Sequence, residues 1–173
     1  MSNNIPESAK VVIIGGGVAG CSVAYHLAKY GWKDVVLLER DQLTSGTTWH
    51  AAGLIGQLGS SATITKLRNH SLNLYKELEK ETGLSTGLKQ NGSITVATTE
   101  GRLDELKRQV NTAQLFNIKA NEVSKEEIKE IYPLINTTDI IGGVHIPNDG
   151  QADPVGVTNV LAKEARQYGA KII

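Results

Sequence analysis

Cysteine occurs once in the 173 residues, as Cys21, so an intrachain disulfide framework and a cysteine-rich metal site are both excluded. Charge of either sign is not in excess: 18 Lys and Arg stand against 18 Asp and Glu. The composition therefore offers no electrostatic grip on nucleic acid or on an anionic membrane. No apolar run approaches the roughly 20 residues that span a bilayer, so membrane insertion is not expected. The opening stretch from Met1 to Lys10 is polar. It lacks the basic and apolar regions of a secretory signal and the Arg-rich face of a transit peptide. A cytoplasmic protein is the expectation. There is no internal repeat and no low-complexity stretch. What remains, at 40% hydrophobic and 21% charged, is a globular composition with length for one domain or one and a half.

Lys10 to Ile14 is a short β-branched run suited to a strand buried on both faces of a parallel sheet. Gly15, Gly16 and Gly17 interrupt it. Val18 to Tyr30 has helical spacing through Ala19, Val23 and Leu27, and Gly31 is its stop. Asp34 to Glu39 is a second buried strand, which completes a βαβ unit of ordinary size. Arg40 to Ser61 is rich in Gly, Ser and Thr and reads as loop, with room for a helical turn around Trp49 to Leu54.

Ala62 to Glu81 returns to helical spacing, with Ile64, Leu67, Leu74 and Leu78 on one side. The charge run from Lys76 to Glu81 reads as its solvated face. Ser93 to Thr98 is strand-like, and Gly101 to Phe116 is amphipathic through Leu103, Leu106, Val110 and Leu115. Ser124 with Glu127 has the form of a capping box, opening a short helix that Pro133 stops. Asp139 to Ile146 reads as a strand. Asp153-Pro154 then makes an N-cap with proline at the first helical position, for a helix running to about Tyr168. Ala170 to Ile173 begins another strand and stops after its first apolar pair.

The fold class that follows is α/β: a Rossmann-like βαβ core interrupted by a mixed α+β excursion and incomplete at its carboxy terminus. The division expected is 1–60 for the nucleotide-binding unit and the loop after it. Residues 61–150 begin a substrate domain, and 151–173 return to the first domain. The chain reads as the amino-terminal portion of a longer protein.

The first chemical motif is Gly15-x-Gly17-x-x-Gly20 between a strand and a helix. Gly15 permits a tight turn, Gly17 lets the backbone approach a pyrophosphate, and Gly20 lets helix and strand pack closely. The amides at Val18 and Ala19 then face a diphosphate at the helix N-terminus, where the macrodipole favours anions. Glu39 closes the second strand, where a carboxylate accepts a ribose hydroxyl pair. These features describe a dinucleotide site without separating FAD from a nicotinamide. Just beyond lies Leu43-Thr44-Ser45-Gly46-Thr47-Thr48-Trp49-His50-Ala51-Ala52-Gly53-Leu54, whose small and hydroxylated residues suit the rest of a long dinucleotide.

Glu39-Arg40 and the stretch Ser45-Gly46-Thr47-Thr48-Trp49-His50-Ala51-Ala52-Gly53, together with the glycine motif, resemble the dimethylglycine and sarcosine dehydrogenases. These belong to the D-amino-acid-oxidase-like flavoproteins. The likeness continues through Leu78 to Gly83, Gln90 to Ser93, Tyr132 to Leu134 and Asp149 to Pro154, and so covers nearly the whole chain. Details around Gln90-Asn91-Gly92 lean toward sarcosine dehydrogenase.

The resemblance implies FAD held by Gly15, Gly17, Val18, Ala19, Gly20, Glu39, Arg40 and the run from Ser45 to Leu54. It also implies that His50 carries the flavin covalently, through an imidazole nitrogen on the 8α-methyl carbon. Histidine suits that role because much of it is neutral near pH 7. The implied reaction oxidises the N-methyl C–N bond of a small N-methylated glycine. Tetrahydrofolate would bind in a domain outside this chain, and the electron acceptor is not specified.

The rest is read more plainly. Trp49 is expected to pack rather than react, Cys21 to be a small buried residue and Arg68 to lie at the surface. His26, His70 and His145 have no partner at metal-ligand spacing, so no metal is expected. A nicotinamide-dependent dehydrogenase and a non-enzymatic relative that has lost the flavin link are the competing readings.

Overall fold

The computed structural model describes residues 5–173; residues 1–4, the first part of the polar opening stretch, lie outside them. In chain order the elements are β1 (Val11–Ile14), α1 (Val18–Lys29), β2 (Val35–Leu38), a 3-10 turn (Thr48–His50), β3 (Leu54–Ile55), α2 (Ala62–Thr82), β4 (Ser93–Ala97), α3 (Glu100–Gln114), β5 (Asn121–Val123), α4 (Lys125–Ile131), β6 (Gly142–Ile146), β7 (Gly150–Gln151), α5 (Pro154–Gln167) and β8 (Lys171–Ile172). No helix among the described residues is long and apolar enough to cross a membrane.

The chain divides into two compact units. The first comprises residues 5–54, 73–88 and 152–173, and the second 55–72 and 89–151. Residues 73–88 therefore group with the first unit, where the sequence division places them in the excursion. The Asp153 N–H donates to the Thr86 carbonyl at 2.9 Å and ties this segment to residues 152–173, while within the segment the Glu79 carboxylate accepts the Thr86 N–H at 2.6 Å and the Thr86 hydroxyl at 2.8 Å. Those bonds, the hydroxyl first, lower the Glu79 pKa. Glu79 is thus an anchor within a run that had been read as a solvated face.

In the first unit β1, β2 and β8 form a parallel sheet in the order β1-β2-β8. β1 and β2 pair in register from Val11 with Val35 to Ile14 with Leu38. α1 packs against α5. The buried residues Cys21, Ala24 and Ala28 are small, which lets the two helices approach, and Tyr25 is fully buried beside them. Val35, Val36 and Leu37 are buried, as a central strand requires, and each such side chain contributes roughly 1.5–3 kcal/mol. β1 departs from the expectation of burial on both faces: Val12 is 52% and Ile14 88% exposed. It pairs with β2 alone among the described residues and is thus an edge strand of this sheet.

The second unit holds the antiparallel sheet β4-β6-β5. Ala97, Leu106, Val110 and Val144 make its core, with Leu103, Ala120 and Ile146 packed against them. The capping box is present in both directions: Ser124 N–H donates to Glu127 at 2.7 Å, and Glu127 N–H donates to the Ser124 hydroxyl at 3.2 Å. Asp153 likewise caps α5, with Pro154 following.

Two helical expectations and one strand expectation change. Leu67 is 57% exposed, and the buried side of α2 instead runs through Thr65, Leu72, Leu74 and Leu78. Thr65 escapes a hydrophobicity reading because its burial is satisfied by a hydrogen bond, its hydroxyl accepting the Gly59 N–H at 3.0 Å. Leu115 is 81% exposed since α3 ends one residue earlier, and the turn at Asn117 (φ 56°) brings Ile118 inward in its place. Asp139 to Ile141 stay outside β6, whereas β3, β5 and β7 are short strands with too few residues to show a period.

Candidate functional site

β1 ends at Ile14, and Gly15 turns the chain with φ +105°, a conformation open to glycine at no steric cost. Its N–H donates to the Leu38 carbonyl at 2.8 Å, which joins the turn to the end of β2. A methyl group at Gly20 would lie on the Gly15 carbonyl, so close packing of helix on turn does require glycine there. Gly17 is different. A Cβ at that position would meet the Thr48 hydroxyl at 2.8 Å, so the space that glycine leaves is taken by this side chain.

Gly17 is the N-cap of α1 and supplies no capping side chain. Helix geometry leaves the first-turn amides without intrahelical acceptors. Val18 N–H finds one thirty residues away, in the Thr48 hydroxyl at 3.0 Å. The N–H groups of Ala19 and Gly20 remain at the positive end of the macrodipole, the setting in which anions bind.

Glu39 sits beside this turn. Its Oε2 accepts the Gly16 N–H at 2.6 Å and its Oε1 the Asp41 N–H at 3.1 Å. The Gly16 bond first, then the Asp41 bond, hold the carboxyl below its ordinary value of 4.5, so Glu39 is an anion at neutral pH. Each oxygen keeps lone-pair capacity for a further donor such as a hydroxyl. Ile14, Leu38, Glu39, Arg40, Ser45 and Gly46 line an open groove of about 460 Å³ over the ends of the two strands. Apolar Ile14 and Leu38 offer a wall for a flat ring, and the carboxylate an acceptor for a diol.

The loop after β2 is tied back to the turn. Thr44, buried, has φ +74°, an outlying conformation for a β-branched residue, and its N–H donates to the Gly16 carbonyl at 3.0 Å. From the sequence Thr44 reads only as one of the hydroxylated residues in the run from Leu43 to Leu54. Its one available signal, a position just ahead of the Ser-Gly-Thr-Thr run, says nothing of backbone strain.

Thr47, Trp49, His50, Ala51 and Ala52 are exposed. Trp49, expected to pack rather than react, is 56% exposed, and its ring lies 3.9 Å from that of His50. The His50 N–H donates to the Thr47 carbonyl at 3.3 Å within the 3-10 turn. Gly53 has φ +71° and passes so close to Ala152 that a methyl group would meet the Ala152 carbonyl. Leu54 is 80% exposed.

Cys21 is the small buried residue expected. Burial pushes its thiol up to about 11, and it donates weakly to the Gly16 carbonyl at 3.7 Å. Arg68 is exposed and donates to the Leu58 carbonyl at 2.5 Å. His26 Nδ1 pairs with the Ser22 carbonyl at 2.7 Å, which accounts for it as a helix residue.

The structure thus brings Gly15, Gly17, Val18, Glu39, Thr48 and the start of α1 to one place, with a groove beside them. Residues 10–173 match the family described as FAD dependent oxidoreductase. The chain belongs to that family. It is 45% identical to human sarcosine dehydrogenase over 99% of its own length, and 45% identical to mouse dimethylglycine dehydrogenase over 95%. It spans about a fifth of the length of these curated relatives, 19% in each case. Among solved structures, the L-proline dehydrogenase of P. horikoshii superposes with a TM-score of 0.90 at 31% identity, over 98% of this chain and 44% of that one.

The α/β fold and the family resemblance expected from the sequence both stand. The cytoplasmic expectation does not. Both dehydrogenase relatives are mitochondrial by name. Fold physics does not encode a compartment, and a polar opening stretch was no basis for assigning one.

Proposed function

We propose that the full-length protein is an FAD-dependent amine dehydrogenase acting on a small N-methylated glycine, sarcosine or dimethylglycine, and that this chain is its flavin cradle. The observation that carries the reading is the glycine turn with its attached loop. One backbone turn is bonded to the Glu39 carboxylate on one side and to the Thr48 hydroxyl on the other. His50 follows two residues after that hydroxyl, in the same 3-10 turn.

The residues present fit FAD. Ala19 and Gly20 offer amides to a diphosphate, Glu39 accepts a ribose diol, and Ile14 with Leu38 flank the groove where an adenine rests. Arg40, Ser45 and Gly46 line that same groove, and Thr47 leads the chain from it into the 3-10 turn that ends at His50. Trp49 against the imidazole restricts its rotation. His50, exposed and on a loop tied at both Thr44 and Thr48, is the covalent attachment point.

Bound flavin supplies a two-electron acceptor for the amine substrate. The chain itself orients that cofactor and prevents its loss. The substrate-binding residues and a tetrahydrofolate site for the one-carbon product are assigned to the remainder of the full-length protein, and the electron acceptor is unspecified.

The test is denaturation of the purified full-length protein in acid. Flavin fluorescence should stay with the polypeptide, and His50→Ala should release it. If acid strips all flavin from an active wild type, attachment at His50 is wrong while FAD dependence stands. A protein that purifies without flavin and cannot be loaded with FAD would return the choice to the non-enzymatic reading.

A further inference from the structure

We propose that Thr48 is a positioning residue, a latch that caps α1 from a distant loop and so fixes the His50 imidazole relative to the diphosphate seat. The inference rests on the reading of His50 as the attachment point. The latch itself stands on separate geometry.

Helices usually close their first turn with a side chain of their own. Here the N-cap is Gly17, and the cap on Val18 N–H comes from the Thr48 hydroxyl at 3.0 Å, from a side chain only 7% exposed. The fit is two-sided, because a Cβ on residue 17 would stand 2.8 Å from that same oxygen. Glycine at 17 is thereby required by the loop, whatever it also does for a ligand. A second tie runs parallel to the first, from the Thr44 N–H to the Gly16 carbonyl at 3.0 Å.

Between the two ties the chain has no freedom to slide along the turn. Thr48 opens the 3-10 turn that ends at His50, and its carbonyl accepts the Ala51 N–H at 3.1 Å. The orientation of the turn is therefore set at its first residue, and the imidazole inherits it. Attachment replaces an 8α C–H bond by a C–N bond. The methyl carbon and the imidazole each give up one proton, and the two electrons reduce the ring, which the enzyme's electron acceptor reoxidises. Such a step depends steeply on how the nitrogen faces the carbon. A hydroxyl that touches neither atom governs it by placement.

The experiment uses the full-length protein with Thr48→Val, which keeps the shape and removes the hydroxyl, and Thr48→Ser, which restores it. Bound FAD, the rate at which acid-stable flavin accumulates and the melting temperature are followed together. Thr48→Val should still bind FAD but accumulate acid-stable flavin about tenfold more slowly, and Thr48→Ser should recover most of that loss. Attachment at the wild-type rate in Thr48→Val overturns the proposal. So does a folded Thr48→Val that binds no FAD, since the hydroxyl would then act in binding.

A second pair decides the geometry if Thr48→Val does not fold. Gly17→Ala should lower the melting temperature, and adding Thr48→Ala should raise it again while attachment stays slow. No recovery in the double variant overturns the latch. A wild type without acid-stable flavin sinks the attachment reading instead, and the melting temperatures of the alanine pair still decide whether residue 17 and Thr48 compete for one space.

Discussion

The helices of the second unit and the first helix of the first unit begin in opposite ways. Thr99 accepts the Arg102 N–H to start α3, and Ser124 with Glu127 closes the start of α4 in both directions. In each case the side chain at the helix's own N-cap takes up a first-turn amide. α1 begins at a glycine with no side chain, takes a single cap from Thr48, and presents its next amides beside an open groove. A helix that serves packing is sealed by its own residues. One that serves an anion keeps its positive end clear, and the stability it gives up there must come from elsewhere in the fold. α5 shows that this is a property of the site and not of the unit, since Asp153 seals it in the ordinary way.

The largest break in this comparison comes from Gly20→Ala. The added methyl has only the Gly15 carbonyl to occupy, so the glycine turn or α1 must move. A loss of about 3 kcal/mol or more is expected in denaturant unfolding of the full-length protein, together with its flavin. Unchanged stability would mean that the turn is not the rigid seat described.

Glu39→Gln tests the charge beside the turn. FAD affinity should fall about tenfold, as for loss of a charge-assisted hydrogen bond, measured by flavin fluorescence quenching. The carboxyl is held below its ordinary 4.5 by the Gly16 and Asp41 amides. A lowered folded-state pKa gives stability that is present above 4.5 and lost as pH falls through the lowered value. Glu39→Gln should therefore lower stability at neutral pH and flatten the acid limb of the profile, its difference from wild type vanishing as pH falls through the lowered value.

The smallest effect belongs to the sealed side. Ser124→Ala should cost about 1 kcal/mol, seen as a lower unfolding midpoint, with flavin content unchanged. A loss of flavin there would erase the distinction between the two kinds of helix start.

Much of this was legible in the residues. The β-branched run ahead of Gly15, the helical spacing after Gly17 and the acidic end of β2 are local patterns, and each became the expected element. Ser124 with Glu127 and Asp153 with Pro154 are likewise short-range signals, and both caps formed. The errors lie where partners are distant or periods are cut short. Leu67 and Leu115 fit a helical stripe, yet a satisfied threonine and an early helix end turned the stripes aside. The Thr48 hydroxyl on Val18 spans thirty residues. The Asp149 carboxylate, buried and accepting the Gln57 N–H at 2.8 Å and the Ser93 hydroxyl at 2.7 Å, joins segments as much as 92 residues apart. No spacing rule connects such pairs.

By itself, then, the order of residues determined that a strand, a glycine turn and a helix follow one another, and that a carboxylate ends the next strand. Those outcomes depend on backbone sterics and on hydrophobic period, which act over a few residues. Which hydroxyl fills the space left by Gly17, why Thr44 tolerates a left-handed backbone and where His50 is anchored were decided only when remote segments met. Hydrogen bonds and excluded volume act between neighbours in space, and those neighbours exist only once the chain has folded.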